Sequence, residues 1–180
     1  MRRTITLYSG NWQDLSLQDL AEKASEWGYH ALELECVADH FVPQRAKQEE
    51  GYMAEVTRVL ESCELQLAAI SCEWAGLLLT QGPTNGWKER APQHLWGDGN
   101  ADGIRQRATA ELLAAAHAAH RMGVNVLVTA CGCPVPVSDF FDTEVFLPQY
   151  RAALRSWSEL WTPVLEELAN LGMRLALLVR

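Results

Sequence analysis

The 180-residue chain has no long hydrophobic run, no cluster of basic residues and no paired-cysteine framework. The first absence excludes a transmembrane helix, which takes about 20 consecutive apolar residues. MRRTITLYSGNW at the N-terminus lacks the apolar core of a signal peptide, despite its two arginines. With 15 basic against 23 acidic side chains the formal charge is −8, which repels phosphate backbones and anionic membranes alike. Five cysteines, an odd number without framework spacing and without an export signal, point to reduced thiols and a cytoplasmic location. A Gly-rich phosphate loop is also missing after the first strand. Ser9-Gly10-Asn11-Trp12 is a poor cradle, which disfavours a nucleotide-binding open sheet of the flavodoxin type.

What is present is a repeated phrase. Ile104, Ala108, Leu112, Ala115, Ala119 and Met122 recur at steps of three and four, as one stripe of a helix. Gly123 stops that helix, and Val124 to Ala130 (VNVLVTA) follows as a strand too apolar to alternate, as expected when both faces are covered. The pattern recurs at Gly28 into HALELE, at Ser62 to Leu65 into QLAAIS, and at Gly172 into MRLALLV. With TITLYS in front, the order is β-α-β-α-β-α-β-α-β. It predicts an α/β fold with about five parallel strands and four helical crossovers. Composition, 48% hydrophobic and 21% charged, suits a single globular domain over residues 1–180.

Local signals refine this outline. Ser16-Leu17-Gln18-Asp19 reads as a capping box for a helix ending at Gly28, with Leu17, Leu20, Ala24 and Trp27 inward. A second helix is expected over about Gln48 to Ser62. From Glu73 to Gly103 the segment holds six glycines, two prolines and Trp74, Trp87 and Trp96, and reads as a long binding loop or lid. Pro148 to Leu171 reads as a helix kinked or restarted at Trp161-Thr162-Pro163.

Alternation in the second strand puts Leu32 and Leu34 on one face and Ala31, Glu33 and Glu35 on the other. Two carboxylates on one covered face are costly without partners. They fit either a solvated edge or the open end of a parallel barrel, where water and ligands reach them. Asp39, His40 and Phe41 follow in the next loop. His40 suits an acid, base or hydroxyl donor, or belongs to an ordinary loop. Cys131-Gly132-Cys133-Pro134 could offer two thiolates to a soft metal. No second pair or nearby His completes a tetrahedral set, so plain loop cysteines are the other reading.

Taken in order, Gly28-Tyr29-His30-Ala31-Leu32-Glu33-Leu34, Asp39-His40-Phe41, Trp96-Gly97-Asp98, Arg107-Ala108, Ala118-Ala119 and Met122-Gly123-Val124 resemble the sugar phosphate isomerase/epimerase proteins with a xylose isomerase-like TIM barrel. Trp161-Thr162-Pro163-Val164-Leu165 and Leu171 to Leu177 extend the resemblance over nearly the whole chain.

The resemblance implies an eight-stranded barrel that moves a proton next to a carbonyl: ketose epimerisation, aldose–ketose isomerisation or dehydration of an inositol derivative. It also implies a divalent metal such as Mn or Mg, held by acidic and His ligands on strands five to eight. In that family the fifth strand carries a metal-binding Glu with His two places later, where this chain has Leu178 and Arg180. A full barrel takes about 250 residues, so five strands predict its N-terminal portion, truncated, with no cofactor held by this chain. On this reading Glu35 and His40 are the catalytic candidates. Trp12, Glu33 and Glu73 bind a small sugar or polyol, since barrel sites form at the C-terminal ends of strands. The exposed edges then call for a second copy or a partner chain to complete the barrel, for rearrangement into an open sheet, or for the chain to be a fragment of a longer gene product. The chain alone is expected to be inactive, and a rival reading makes it a non-catalytic half-barrel subunit that binds a partner.

Overall fold

The computed structural model describes residues 3–84, 86–132 and 143–178. Five strands alternate with helices: β1 (Thr6–Tyr8), α1 (Leu17–Glu26), β2 (Ala31–Glu35), α2 (Pro43–Gln48), α3 (Tyr52–Ser62), β3 (Gln66–Ser71), α4 (Glu73–Gln81), α5 (Gln93–Trp96), α6 (Ala101–Arg121), β4 (Val126–Ala130), α7 (Thr143–Asn170) and β5 (Arg174–Leu178). All neighbouring strands are parallel, in the spatial order β1-β2-β3-β4-β5. Crossovers between parallel strands are right-handed almost without exception. An order that never reverses therefore stacks the crossover helices on one face and leaves the other as the lining of an incomplete cylinder. The helix-covered face holds the fully buried Leu32, Leu34, Ile70 and Leu127. Tyr8, Glu33 and Glu35 take the opposite one, with Glu33 paired to Tyr8 and Glu35 paired to Ser71.

One device closes every helix that feeds a strand. Tyr29 N–H donates to Ala24 O, Leu65 to Leu60, Val124 to Ala119 and Met173 to Leu168, each spanning five residues. The residue before each donor, Gly28, Glu64, Gly123 or Gly172, bonds three residues back and has positive φ. This double bond with a left-handed residue is the Schellman cap, which satisfies the last carbonyls and turns the chain sharply. At the helix start, Ser16 Oγ accepts from Asp19 N–H at 3.1 Å, as the capping-box reading requires. The Asp19 carboxylate in turn accepts from the Ser16 hydroxyl at 2.6 Å.

Three expectations need correction. The helix expected over Gln48 to Ser62 begins only at Tyr52, after Gly51 at φ 93°, and a separate short helix, α2, precedes it. The segment from Glu73 is not a plain loop, since residues 73–81 form α4 and residues 93–96 form α5. Helix α7 continues through Pro148 and Pro163 without the restart that is one of the two readings there. It is pinned to α4 by the buried Trp161, whose indole N–H donates to Thr80 Oγ1 at 3.0 Å. Cys133 and Pro134 through Asp142, with the C-x-C reading attached to them, lie outside the described residues, as does Arg180.

Glu64 (φ 58°) is the one cap residue of the four with a side chain. Glu64→Gly is expected to stabilise the fold by about 0.5–1 kcal/mol and Gly123→Ala to destabilise it by about 1 kcal/mol, because only glycine takes φ > 0 without a Cβ penalty. Urea midpoints of the two variants check both signs.

Candidate functional site

The strand ends carry the polar chemistry. Chain alternation turns Tyr8 at the end of β1 and Glu35 at the end of β2 to the bare face, and Glu73 opens α4 just past β3. The Tyr8 hydroxyl lies 2.9 Å from Glu73 Oε1 and 3.3 Å from Glu35 Oε2. Glu35 Oε1 accepts the Glu73 backbone N–H at 2.9 Å, and Glu35 N–H donates to Ser9 Oγ at 2.8 Å. Glu33 sits one step deeper on the same face and accepts a short hydrogen bond from the Ser71 hydroxyl. Gly10 leaves room for the Tyr8 side chain, because a Cβ there would collide with the ring and its hydroxyl.

These groups perturb one another strongly. Glu35 is only 3% exposed, and burial pushes its carboxyl up to about 8. The charges of Glu73 and Glu33 push the same way, while the Glu73 amide and the Tyr8 hydroxyl pull it down. Burial, then the charge of Glu35, holds the Tyr8 hydroxyl well above the ordinary phenol range, so it stays neutral. Tyr8 has one proton to give, and its closer partner is Glu73. The longer contact, to Glu35 Oε2, is the second place that proton can be donated. The three side chains form a hydrogen-bonded relay, Glu35–Tyr8–Glu73, with the Tyr8 hydroxyl as the shared donor.

The relay opens into a cavity of about 570 Å³ lined by Tyr8, Glu35, Glu73, Trp74, Trp87 and Arg90, together with Gly10, Asn11, Gln13, Val37 and Leu77. Trp74 and Trp87 meet edge to face, ring centroids 5.8 Å apart, and the exposed Arg90 stands at the rim. Of the residues singled out from sequence, Glu35 and Glu73 come together here and Glu33 lies behind them. Trp12 stands apart, 5.0 Å from Trp27 in a separate groove with Ile5, Gly28 and Tyr29. His40 is fully buried away from the cavity lining, with Nε2 3.0 Å from the Leu15 carbonyl. Sequence reasoning missed Tyr8 and Arg90. The signal for Tyr8 was its place as the last inward residue of the first strand.

No protein-family model matches the chain, and no curated protein does. Solved structures do match. D-psicose 3-epimerase from Clostridium cellulolyticum H10, crystallised with D-tagatose, is 12% identical with a TM-score of 0.57, over 97% of this chain and 52% of that one. A xylose isomerase-like TIM barrel protein from Mycobacterium smegmatis, in complex with magnesium, is 11% identical with a TM-score of 0.52, over 92% of this chain and 48% of that one. The fold is that of a partial xylose isomerase-like TIM barrel. The chain spans about half the length of the structures it matches.

A divalent metal needs several oxygen or nitrogen ligands converging from fixed positions. Among the described residues no three His, Cys, Asp or Glu side chains converge in that way. The relay residues therefore do not form a metal site by themselves among the described residues.

Two outcomes follow from this geometry. An acid whose folded pKa is raised stabilises the fold fully below its unfolded pKa, and that stabilisation is lost as pH rises through about 8. Between pH 5 and pH 9 the wild type is thus expected to lose stability relative to Glu35→Gln, by an amount on the order of a few kcal/mol. Urea melts at the two pH values measure it, and parallel melts would contradict it. Gly10→Ala is expected to displace the Tyr8 ring and, by removing the hydroxyl that pulls the Glu35 carboxyl down, to raise its pKa further, which carboxyl NMR reads directly.

Proposed function

We propose that the chain forms the sugar-facing part of an isomerase/epimerase-type barrel site that binds a small sugar or polyol. The observation that carries this reading is the buried Glu35 carboxyl, linked through Tyr8 to Glu73 and opening on a cavity walled by two tryptophans. Trp74 and Trp87 offer apolar ring faces to the C–H side of a sugar, while Tyr8, Glu73 and Arg90 offer hydrogen bonds to its hydroxyls. At about 570 Å³ the cavity is ample for a monosaccharide. Glu35 is suited to give a proton to, or take one from, a carbon or oxygen beside a carbonyl, since a general acid–base works best with a pKa near the working pH. His40 has no part in this, with its ring turned to Leu15. The fold shared with D-psicose 3-epimerase supports the substrate class.

Titrating the purified chain with ketohexoses while following tryptophan fluorescence tests the reading. A saturable change is expected, weakened at least tenfold in Glu35→Gln and abolished in Trp87→Ala. No saturable change with any ketohexose would overturn it.

A second reading, a half-barrel subunit that binds a partner chain, is favoured by the two sheet margins. At β5, Ala176 and Leu177 are exposed, and beside β1 Ile5 is 56% exposed. Unpaired strand edges with apolar side chains invite further pairing. The cytoplasm remains the proposed location, and no helix among the described residues is long and apolar enough to cross a membrane. On this account the chain alone shows no ketose interconversion and elutes as a complex. Light scattering on the eluting peak checks the second point, and a well-folded monomer with measurable epimerisation would contradict both.

A further inference from the structure

The two relay carboxyls each sit next to a cysteine in the chain, Glu35 beside Cys36 and Cys72 beside Glu73. Glu35 pairs with Ser71 in the parallel register, so Cys36 and Cys72 are the next opposed residues on the two strands. Cys36 N–H donates to Ser71 O at 2.7 Å, and Cys72 N–H to Val128 O at 2.9 Å, which fixes both backbones. Chain alternation sends the thiols to the face away from the cavity, where they pack on the helices. There the two sulfurs lie 2.7 Å apart, with both cysteines free. Neighbouring strands are about 4.8 Å apart, within the ~4.4–6.8 Å between Cα atoms that a disulfide spans.

We propose that Cys36 and Cys72 are an oxidation site, a dithiol that a hydroperoxide closes to a disulfide and so staples together the two strand ends bearing Glu35 and Glu73. Cys36, half-buried where Cys72 is buried, is the thiol a small peroxide reaches first. Its thiolate attacks one peroxide oxygen, the S–O bond forms as O–O breaks, and the leaving hydroxide takes a proton to become water. The Cys72 thiolate then attacks the sulfenic sulfur, S–S forms as S–O breaks, and a second water leaves. Two thiols are oxidised and one hydrogen peroxide is reduced to two waters. Burial pushes both thiols up, so few thiolates are present at neutral pH and closure is slow. The staple leaves the carboxyl side chains on the other face untouched and holds their backbones at the spacing the relay needs.

The test treats the full chain with hydrogen peroxide for hours, blocks remaining thiols with N-ethylmaleimide under denaturing conditions, and maps peptides by mass spectrometry. The expected result is a Cys36–Cys72 linked peptide, two fewer maleimide additions than in the reduced chain, and reversal by dithiothreitol. In Cys36→Ser, checked for folding by circular dichroism, the link is absent and Cys72 takes up maleimide. Alkylation of both Cys36 and Cys72 in treated wild type, their overoxidation without linkage, or pairing of either with another cysteine would overturn the proposal. The readout is covalent and independent of sugar binding, so it stands or falls separately from the function proposed above.

Discussion

The site depends on keeping a proton on Glu35. Taking a carboxylate out of water is costly, and here the nearest charges, Glu73 and Glu33, are of the same sign. The chain resolves the conflict by raising the Glu35 pKa to about 8 and placing the Tyr8 hydroxyl between Glu35 and Glu73 as donor to either carboxyl. Everything around the relay serves that arrangement. Ser9 and the Glu73 amide hold the Glu35 backbone and carboxyl, and Gly10 makes room for the Tyr8 ring.

The sheet makes the arrangement possible. Because the strand order never reverses, the bare face is continuous and the strand ends form one rim. Tyr8, Glu35 and Glu73 come from three consecutive strand ends and meet there, although Glu73 is 38 residues from Glu35 in the chain. The Schellman caps that close each helix set the phase of each following strand, and a one-residue slip would turn Glu35 toward the helices. The bulge opposite Leu32 and Glu33 is a further phase adjustment, bringing Ser71 beside Glu35.

Much of the fold was legible because its signals are local. The Ser16 cap, the glycine joins and the Leu32/Leu34 against Glu33/Glu35 alternation each need only a few neighbouring residues to be read. Helix α4 was not legible, and its composition explains why. Its residues EWAGLLLTQ are apolar nearly all round, with Ala75, Gly76, Leu78, Leu79 and Thr80 buried, so no stripe marks a helix. Gly76 packs so tightly on the end of β4 that a Cβ would strike the Ala130 carbonyl and the Thr129 hydroxyl. Within the site, Glu35 stood out as a charge on a covered face, whereas its partnership with Tyr8 and Glu73 exists only in three dimensions. His40 and Trp12 carried the right chemistry by residue type, yet the former is buried against Leu15 and the latter packs on Trp27.

The account is tested most directly by carboxyl carbon NMR of the chain labelled at glutamate, titrated from pH 4 to pH 10 with Glu35→Gln to assign the resonance. A Glu35 carboxyl that titrates near pH 8 is the predicted result. Titration in the ordinary glutamate range, about 4.3, would mean that the carboxylate is charged at neutral pH, and the proton relay would not exist.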